Sequence, residues 1–356
     1  MKAITSVINM FKDLIRLYLP TPKNDESAFV FLVHPRDTSD FYRKYPFLVM
    51  FPPIIIESVM RFFWPITLSE ITGLTSMQDG KPIKGWLISI LFTGKMLLKK
   101  RNAAKKKILK AIKLAEKKGA KIVGLGALTS SITNGGLELA DKTNIKLTNG
   151  NSLTTAMTIN DIQKIIESPS KRIPSLAIVG ATGSIGKAVS ISLSGENIER
   201  LILVGKTPEH LKALKEKIES TNNQIEIVTS TELKKILEAD IIIIATASHN
   251  ALIKKEHLKN NAIVYDISQP QNVDRNILKS RPDIRIIDGG IVSTPGINYH
   301  FNFGLQQETA FACLAETMLL AAEKISNNFS LGNVELKKVE IIKEIAKKYN
   351  FTTKSE

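Results

Sequence analysis

Apolar residues along this chain fall into two spacings, and the spacing changes from one segment to the next. Short apolar runs at Ala28 to Val33, Ile122 to Leu125, Leu176 to Val179, Leu201 to Val204, Ile225 to Val228, Asp240 to Ala245, Ala262 to Asp266 and Ile284 to Asp288 predict buried strands. Two further extended segments are read at Ser69 to Leu74 and Gly85 to Leu91. Between the strands, helical patterns are expected at Ser39 to Tyr45, Lys99 to Lys121, Ser152 to Ile166, Ile185 to Leu193, Pro208 to Ile218, Thr231 to Leu237 and Gln307 to Ile325. An amphipathic helix is also expected at Met1 to Leu19, ended by Pro20 and Pro22. Continuous apolar strands alternating with helices predict an α/β fold with a doubly wound parallel sheet, a second α/β domain and C-terminal helices.

The segment from Leu176 to Leu193 carries the most chemistry. An apolar strand runs into Gly180, Gly183 and Gly186, and a helix begins at once. Glycine permits a tight turn that brings backbone N–H groups against a pyrophosphate, and the helix N-terminus favours that anion. Gly180, Thr182, Gly183, Ser184, Ile185 and Gly186 are therefore candidate dinucleotide contacts, joined by Thr246 and Ala247 after the fourth strand of this region. The second strand ends in Gly205-Lys206-Thr207 rather than in an acid. An acid there bonds the ribose hydroxyls of NAD, whereas Lys206 and Thr207 suit a 2′-phosphate. The expected cofactor is NADPH.

Two polar turns follow apolar strands elsewhere. One holds Thr129 and Ser130; the other holds Asn149 and Asn151 and opens a helix. Such turns are where α/β proteins place ligand-contacting groups, and helix capping accounts for them equally well. Cys313 lies towards the N-terminal end of the apolar Gln307 to Ile325 helix. A free cysteine is among the most often buried residues, while a helix N-terminus can activate a thiol. Glu308 and Glu316 would oppose such activation, and the helix alone leaves both readings open.

Composition narrows the class. With 356 residues, 43% of them apolar and 23% charged, the chain should hold two domains with sizeable cores. One cysteine excludes an internal disulfide, in keeping with a cytoplasmic location. The first twenty residues carry Lys12, Asp13 and Arg16 where a secretory signal needs an apolar stretch. The most apolar window, Pro46 to Ile66, is interrupted by prolines, Glu57 and Arg61 and falls short of the roughly 20 apolar residues of a spanning helix. A net charge of +15 points to an acidic partner or surface. The lysines from Lys99 to Lys121 form either a solvated helix face or a docking face, and the stretch Leu48 to Trp64 either packs in a core, lines an apolar channel or meets a membrane. No metal site is expected.

Taken together, several blocks resemble the long-chain acyl-carrier-protein reductases that make fatty aldehydes, best known from cyanobacteria. These are Gly124 to Ser130, Thr148 to Asn151, Val179 to Gly186, and Phe311 to Leu320 with Asn328-Phe329-Ser330. The resemblance implies NADPH-dependent reduction of an acyl thioester, with Cys313 as the nucleophile, Gly180, Gly183 and Gly186 as the cofactor loop, and Thr129, Ser130, Asn149 and Asn151 as candidates for stabilising the oxyanion. It implies acyl carrier protein or acyl-CoA as donor and no nucleic-acid partner. Residues 1–66 are longer and more apolar than in the cyanobacterial enzymes, which keeps a peripheral membrane contact through them open. The linker-like stretch Ser168-Pro169-Ser170-Lys171-Arg172 sets the expected division: a substrate domain at 1–170, an NADP-binding domain at 171–290, and a C-terminal segment at 291–356 that carries Cys313. Two other functions fit the residues: an NADP-dependent dehydrogenase of a small hydroxy or keto acid without covalent catalysis, and a non-catalytic NADPH-binding protein of the membrane surface.

Overall fold

A computed structural model describes residues 28–167, 175–221, 224–246, 253–269 and 271–354. The expected helix at 1–19, the linker at 168–172 and Ala247 lie outside them. The described residues form two compact units. The first runs through 28–150, 293–332 and 344–351, the second through 151–292, 333–343 and 352–354. The sequence pattern suggests a boundary at 168–172; the helix before that point instead groups with the second unit, where it packs along the helix Ser184–Leu193.

The first unit begins with β1 (Phe29–Val33), followed by α1 (Thr38–Lys44), α2 (Pro53–Met60), β2 (Ile66–Ile71) and β3 (Gly85–Ser89). The chain continues through α3 (Gly94–Lys99), α4 (Arg101–Lys117), β4 (Ile122–Leu125), α5 (Leu128–Ser131), α6 (Leu137–Ala140) and β5 (Lys146–Thr148). The strands lie in the order β2-β3-β1-β4-β5. All neighbours are parallel except β2, which runs antiparallel to β3 at the edge. The expected helix at Lys99 to Lys121 is two helices, since Lys100 leaves helical geometry between them at φ −124° and ψ 48°. Ala104, Ile108, Ala111, Ile112 and Ala115 form the buried stripe of α4, against Val30, Leu32, Val123 and Leu147 of the sheet.

The second unit opens with α7 (Asn151–Ile166) and β6 (Ser175–Val179), then α8 (Ser184–Leu193), β7 (Arg200–Val204), α9 (Pro208–Glu219) and β8 (Glu226–Ser230). It continues with β9 (Ile241–Ile244), β10 (Ile263–Asp266), α10 (Ile277–Ser280) and β11 (Arg285–Asp288). The six strands are ordered β8-β7-β6-β9-β10-β11 and all are parallel. This is the doubly wound order of the dinucleotide-binding (Rossmann) fold, with the strand order reversing between β6 and β9. Central strands such as Ile241 to Ile244 are fully buried, as a sheet covered on both faces requires. The expected helix at Thr231 to Leu237 is a short 3-10 segment, Leu233–Glu238.

After β12 (Ile291–Ser293) the chain forms β13 (Thr309–Phe311), α11 (Ala312–Ala322) and α12 (Leu336–Lys348). The apolar pattern suggests that Gln307 to Phe311 belong to one long helix. Glu308 instead takes a left-handed φ of 53°, which a right-handed helix cannot continue through, and an extended Phe311 leads into α11. The correction moves Cys313 to the second residue of its helix. Among the described residues no helix is long and apolar enough to cross a membrane.

Candidate functional site

In the second unit the glycine turn occupies the point where strand order reverses. Gly180 follows β6 with φ 84°, and a Cβ there would overlap the carbonyl oxygen of Ala245 beyond β9. A Cβ on Gly186 would overlap the carbonyl oxygen of Gly180, and one on Gly183 would stand 3.2 Å from the same atom. The turn is thus closed to any larger residue at two of its three glycines. Gly183 caps α8 without a side-chain hydrogen bond, and the helix N-terminus turns its dipole towards the glycine turn. These are the requirements of a pyrophosphate cradle, so the residues fit a dinucleotide.

The other expected contacts surround this turn. A Cβ on Gly205, at the end of β7, would lie 3.3 Å from Thr182 Oγ1, so the hydroxyl sits against the second strand. Ser184 Oγ accepts from the Val334 backbone N–H at 3.0 Å. Ile185 is half-buried, Lys206 is exposed, and Thr207 is half-buried at the start of α9. Thr246 follows β9, its N–H directed at Ser268 Oγ, 3.4 Å away.

In the first unit the strand order reverses between β1 and β4, and the loops after those strands meet. The Leu128 N–H points at His34 Nε2, 3.4 Å away, and His34 Nδ1 lies 2.9 Å from the Pro35 carbonyl oxygen. Ligands of open α/β sheets bind at such reversal points, beyond the carboxyl ends of the strands. Cys313 lies between two of the turns at this edge. Gly150, after β5, has φ 75°, and a Cβ on it would overlap the Cys313 Cα. The other turn contributes Ala127, whose backbone N–H lowers the thiol pKa together with those of Leu314 and Cys313.

The thiol is half-buried and its pKa is pushed up to about 12. Desolvation is the main cause, and the Glu316 carboxylate adds to it, while the three backbone N–H groups pull the other way. Cys313 is thus a protonated thiol at neutral pH, held among donors that would favour its anion. Ala127 has φ 46°, a left-handed conformation that costs a residue with a Cβ about 1–3 kcal/mol and recurs where backbone donors serve a site. Thr317 Oγ1 donates to the Cys313 carbonyl oxygen at 3.0 Å, and a Cβ on Gly124 would overlap that hydroxyl, so α11 lies close on β4.

Two of the four side chains expected to stabilise an oxyanion, Thr129 and Asn149, hydrogen-bond to backbone carbonyls. Thr129 is fully buried and its Oγ1 donates to the Gly126 carbonyl oxygen at 2.7 Å. Ser130 is buried in the same short helix. Asn149 Nδ2 donates to the Gly135 carbonyl oxygen at 3.1 Å, and the Asn149 backbone N–H donates to the Ser330 carbonyl oxygen at 2.8 Å. Asn151 is half-buried at the start of α7, in the second unit. Thr129 and Asn149 thus brace the turns flanking Cys313, and the groups that lower its thiol pKa belong to the backbone. Sequence reasoning missed Ala127, because nothing in an alanine announces a left-handed backbone. It also missed Thr148, whose hydroxyl donates to Glu316.

Leu48 to Trp64 divides between a small core and the surface. Ile56 and Met60 of α2 face inward onto Phe41, Tyr45 and Leu48, while Met50, Ile54, Phe62 and Trp64 are turned to solvent. A cavity of about 530 Å3 lies beside Lys121, Ile122 and Lys146, where β4 and β5 begin, at the opposite end of those strands from Cys313. Among the described residues no cluster of side chains could hold a metal.

The family model for shikimate / quinate 5-dehydrogenase matches residues 157–288, within the second unit. The long-chain acyl-[acyl-carrier-protein] reductase of Synechococcus elongatus is 28% identical over 321 residues, covering 81% of this chain and 89% of that one. The aminotransferase PigE of a Serratia species is 30% identical over 273 residues, 73% of this chain; the match spans only 31% of PigE. Among solved structures, quinate dehydrogenase from Corynebacterium glutamicum in complex with NAD has a TM-score of 0.39 at 13% identity, over 90% of this chain and 99% of that one. A shikimate dehydrogenase in complex with NADP+ has a TM-score of 0.38 at 15% identity, over 92% and 99%. The chain is a dehydrogenase- or reductase-type protein with an NAD(P)-dependent oxidoreductase fold.

Proposed function

We propose that this protein reduces a long-chain fatty acyl thioester to the aldehyde, with NADPH as reductant and Cys313 as the residue that carries the acyl group. The carrying observation is the placement of Cys313 at the second position of α11, where the backbone N–H groups of Leu314, Cys313 and Ala127 favour its thiolate. Likeness to the Synechococcus elongatus reductase along most of both chains supports the same reading.

In this mechanism Cys313 sulfur bonds to the thioester carbonyl carbon, the carbon–sulfur bond to the donor breaks, and the thiol proton passes to the departing donor sulfur. Because burial and Glu316 raise the thiol pKa, the sulfur enters this step protonated, and its proton must leave as the new bond forms. The Ala127, Cys313 and Leu314 N–H groups stabilise the negative charge that develops beside the sulfur. Gly180, Gly183 and Gly186 would hold the cofactor's pyrophosphate, and Lys206 would pair with its 2′-phosphate. When bound, NADPH supplies the hydride that reduces the acyl carbon. The Cys313 sulfur then leaves as a thiolate, the aldehyde is released, and the thiolate takes a proton from solvent. The donor is acyl carrier protein or coenzyme A, both of which present a thioester and negative charge to a strongly basic chain.

The test is the intact mass of the full chain after incubation with a long-chain acyl thioester in the absence of NADPH. An acyl adduct that disappears in Cys313→Ala is expected; unmodified protein with thioester in excess would refute the covalent step. A second reading is favoured by the family match over 157–288: an NADP-linked dehydrogenase of a small hydroxy or keto acid. It requires such turnover to persist in Cys313→Ala.

A further inference from the structure

Nine of the fourteen large apolar side chains exposed among the described residues lie between Val49 and Trp64. Met50 is 77% exposed, Ile54 73%, Phe62 74% and Trp64 61%, so the segment presents long side chains almost wholly to solvent. Contiguous bare apolar groups of this size mark an interaction surface. Glu57, the only acid between Pro46 and Trp64, is turned away: its Oε1 accepts from Thr93 Oγ1 at 2.9 Å. The outer side of α2 is left without negative charge.

Cations border the same segment. Lys110 Nζ sits 4.4 Å from the centre of the Trp64 ring, and the Arg61 guanidinium 4.6 Å from that of Phe62. Lys110 belongs to an exposed stripe on α4 with Lys106, Lys113 and Lys117, spaced by four, three and four residues. The buried amine of Lys107 donates to the carbonyl oxygens of Met60 and Arg61 at 3.1 and 2.9 Å, tying the end of α2 to α4. The apolar segment and the basic stripe are therefore held side by side in one unit.

We propose that this face, α2 with its flanking residues and the lysine stripe of α4, docks the protein on the surface of an anionic lipid bilayer. The two halves of the face match the two layers of that surface. Aliphatic and aromatic side chains enter the boundary between headgroups and acyl chains, and lysines meet the anionic headgroups. Aromatic rings adjacent to cations are suited to this depth. An acidic protein would pair with the lysines yet leave the uncharged outer side of α2 without a partner of its own kind. The proposal does not depend on the acyl-transfer chemistry, which is tested on a dispersed thioester.

The experiment is flotation of the full chain with vesicles of phosphatidylcholine alone and of phosphatidylcholine mixed with phosphatidylglycerol. Recovery with the anionic vesicles, falling as salt is raised, is expected. The double variant Ile54→Ser/Phe62→Ser and the charge reversal Lys110→Glu/Lys113→Glu should each weaken binding about tenfold or more, with an unchanged circular dichroism spectrum. The chain has two tryptophans, and Trp86 is buried, so a blue shift of fluorescence on vesicle addition reports Trp64 and should vanish in Trp64→Phe. The proposal is overturned if anionic vesicles recover no protein, or if recovery is the same in Ile54→Ser/Phe62→Ser. It is equally overturned if those substitutions instead abolish binding to an acidic carrier protein or self-association, with no vesicle binding by the parent.

Discussion

Thr148, at the end of β5, donates its hydroxyl proton to the carboxylate of Glu316 on α11, and both residues are fully buried. Thr148 Oγ1 also lies 3.3 Å from the Gly150 N–H, in line to accept it, so one hydroxyl links the buried acid to the turn that presses on Cys313. Glu316 stands one helical turn beyond Cys313 and raises the pKa of its thiol. This arrangement makes the acid a positioning residue with a measurable electrical effect.

Glu316→Gln removes the charge while keeping an acceptor for Thr148. The Cys313 pKa should fall, and alkylation by iodoacetamide at a fixed alkaline pH should accelerate. Thr148→Val removes the donor instead and should destabilise the fold by about 1–3 kcal/mol, read in urea unfolding. Equal alkylation rates in Glu316→Gln and the parent would contradict the assigned coupling.

The thiol's own titration gives a second measurement. With a pKa pushed up to about 12, Cys313 should alkylate ever faster as pH rises past about 9, where an ordinary thiol would already level off. The sign for stability follows. The folded thiol holds its proton more tightly than the unfolded one, so this stabilisation is complete below about pH 8.5 and is lost as pH climbs towards the folded value. Cys313→Ala should flatten that alkaline decline in the thermal midpoint.

Gly150→Ala and Gly119→Ala separate backbone strain from crowding. Gly119 has φ 79° and open space around it, so alanine there should cost only the left-handed conformation, about 1–2 kcal/mol. Gly150 has φ 75° and Cys313 against it, so alanine should cost more and should also abolish acylation. Comparable losses at the two positions would mean that the contact with Cys313 is unimportant.

Lys206 decides coenzyme choice in the proposed function. Lys206→Glu should raise the KM for NADPH about tenfold or more while leaving that for NADH within a small factor, since only the former carries a 2′-phosphate. Lys206 is exposed at the end of β7, so the variant should fold normally. A parallel change in both KM values would place the 2′-phosphate elsewhere.

Much of the second unit was legible in the residues because its determinants are local. A run such as Leu176 to Val179 reads as a buried strand, and three glycines at fixed spacing between a strand and a helix point to a tight turn, closed to a Cβ at Gly180 and Gly186. The parallel sheet is as expected. The basic helix and the strand leading to Gly126 were readable for the same reason.

What the tertiary structure alone decided concerns contacts between distant residues and backbone shapes without a residue signature. Thr148 and Glu316 are separated by 168 positions, and no spacing in the chain links them. Gln307 and Glu308 sit in a stretch whose apolar neighbours suit a helix, yet the backbone turns at Glu308 through φ 53° and α11 begins only at Ala312. Ala127 became a donor by adopting a strained turn that its side chain does not call for. Periodicity reports which face of an element is buried; it does not report what lies against that face, and the chemistry around Cys313 is made of such meetings.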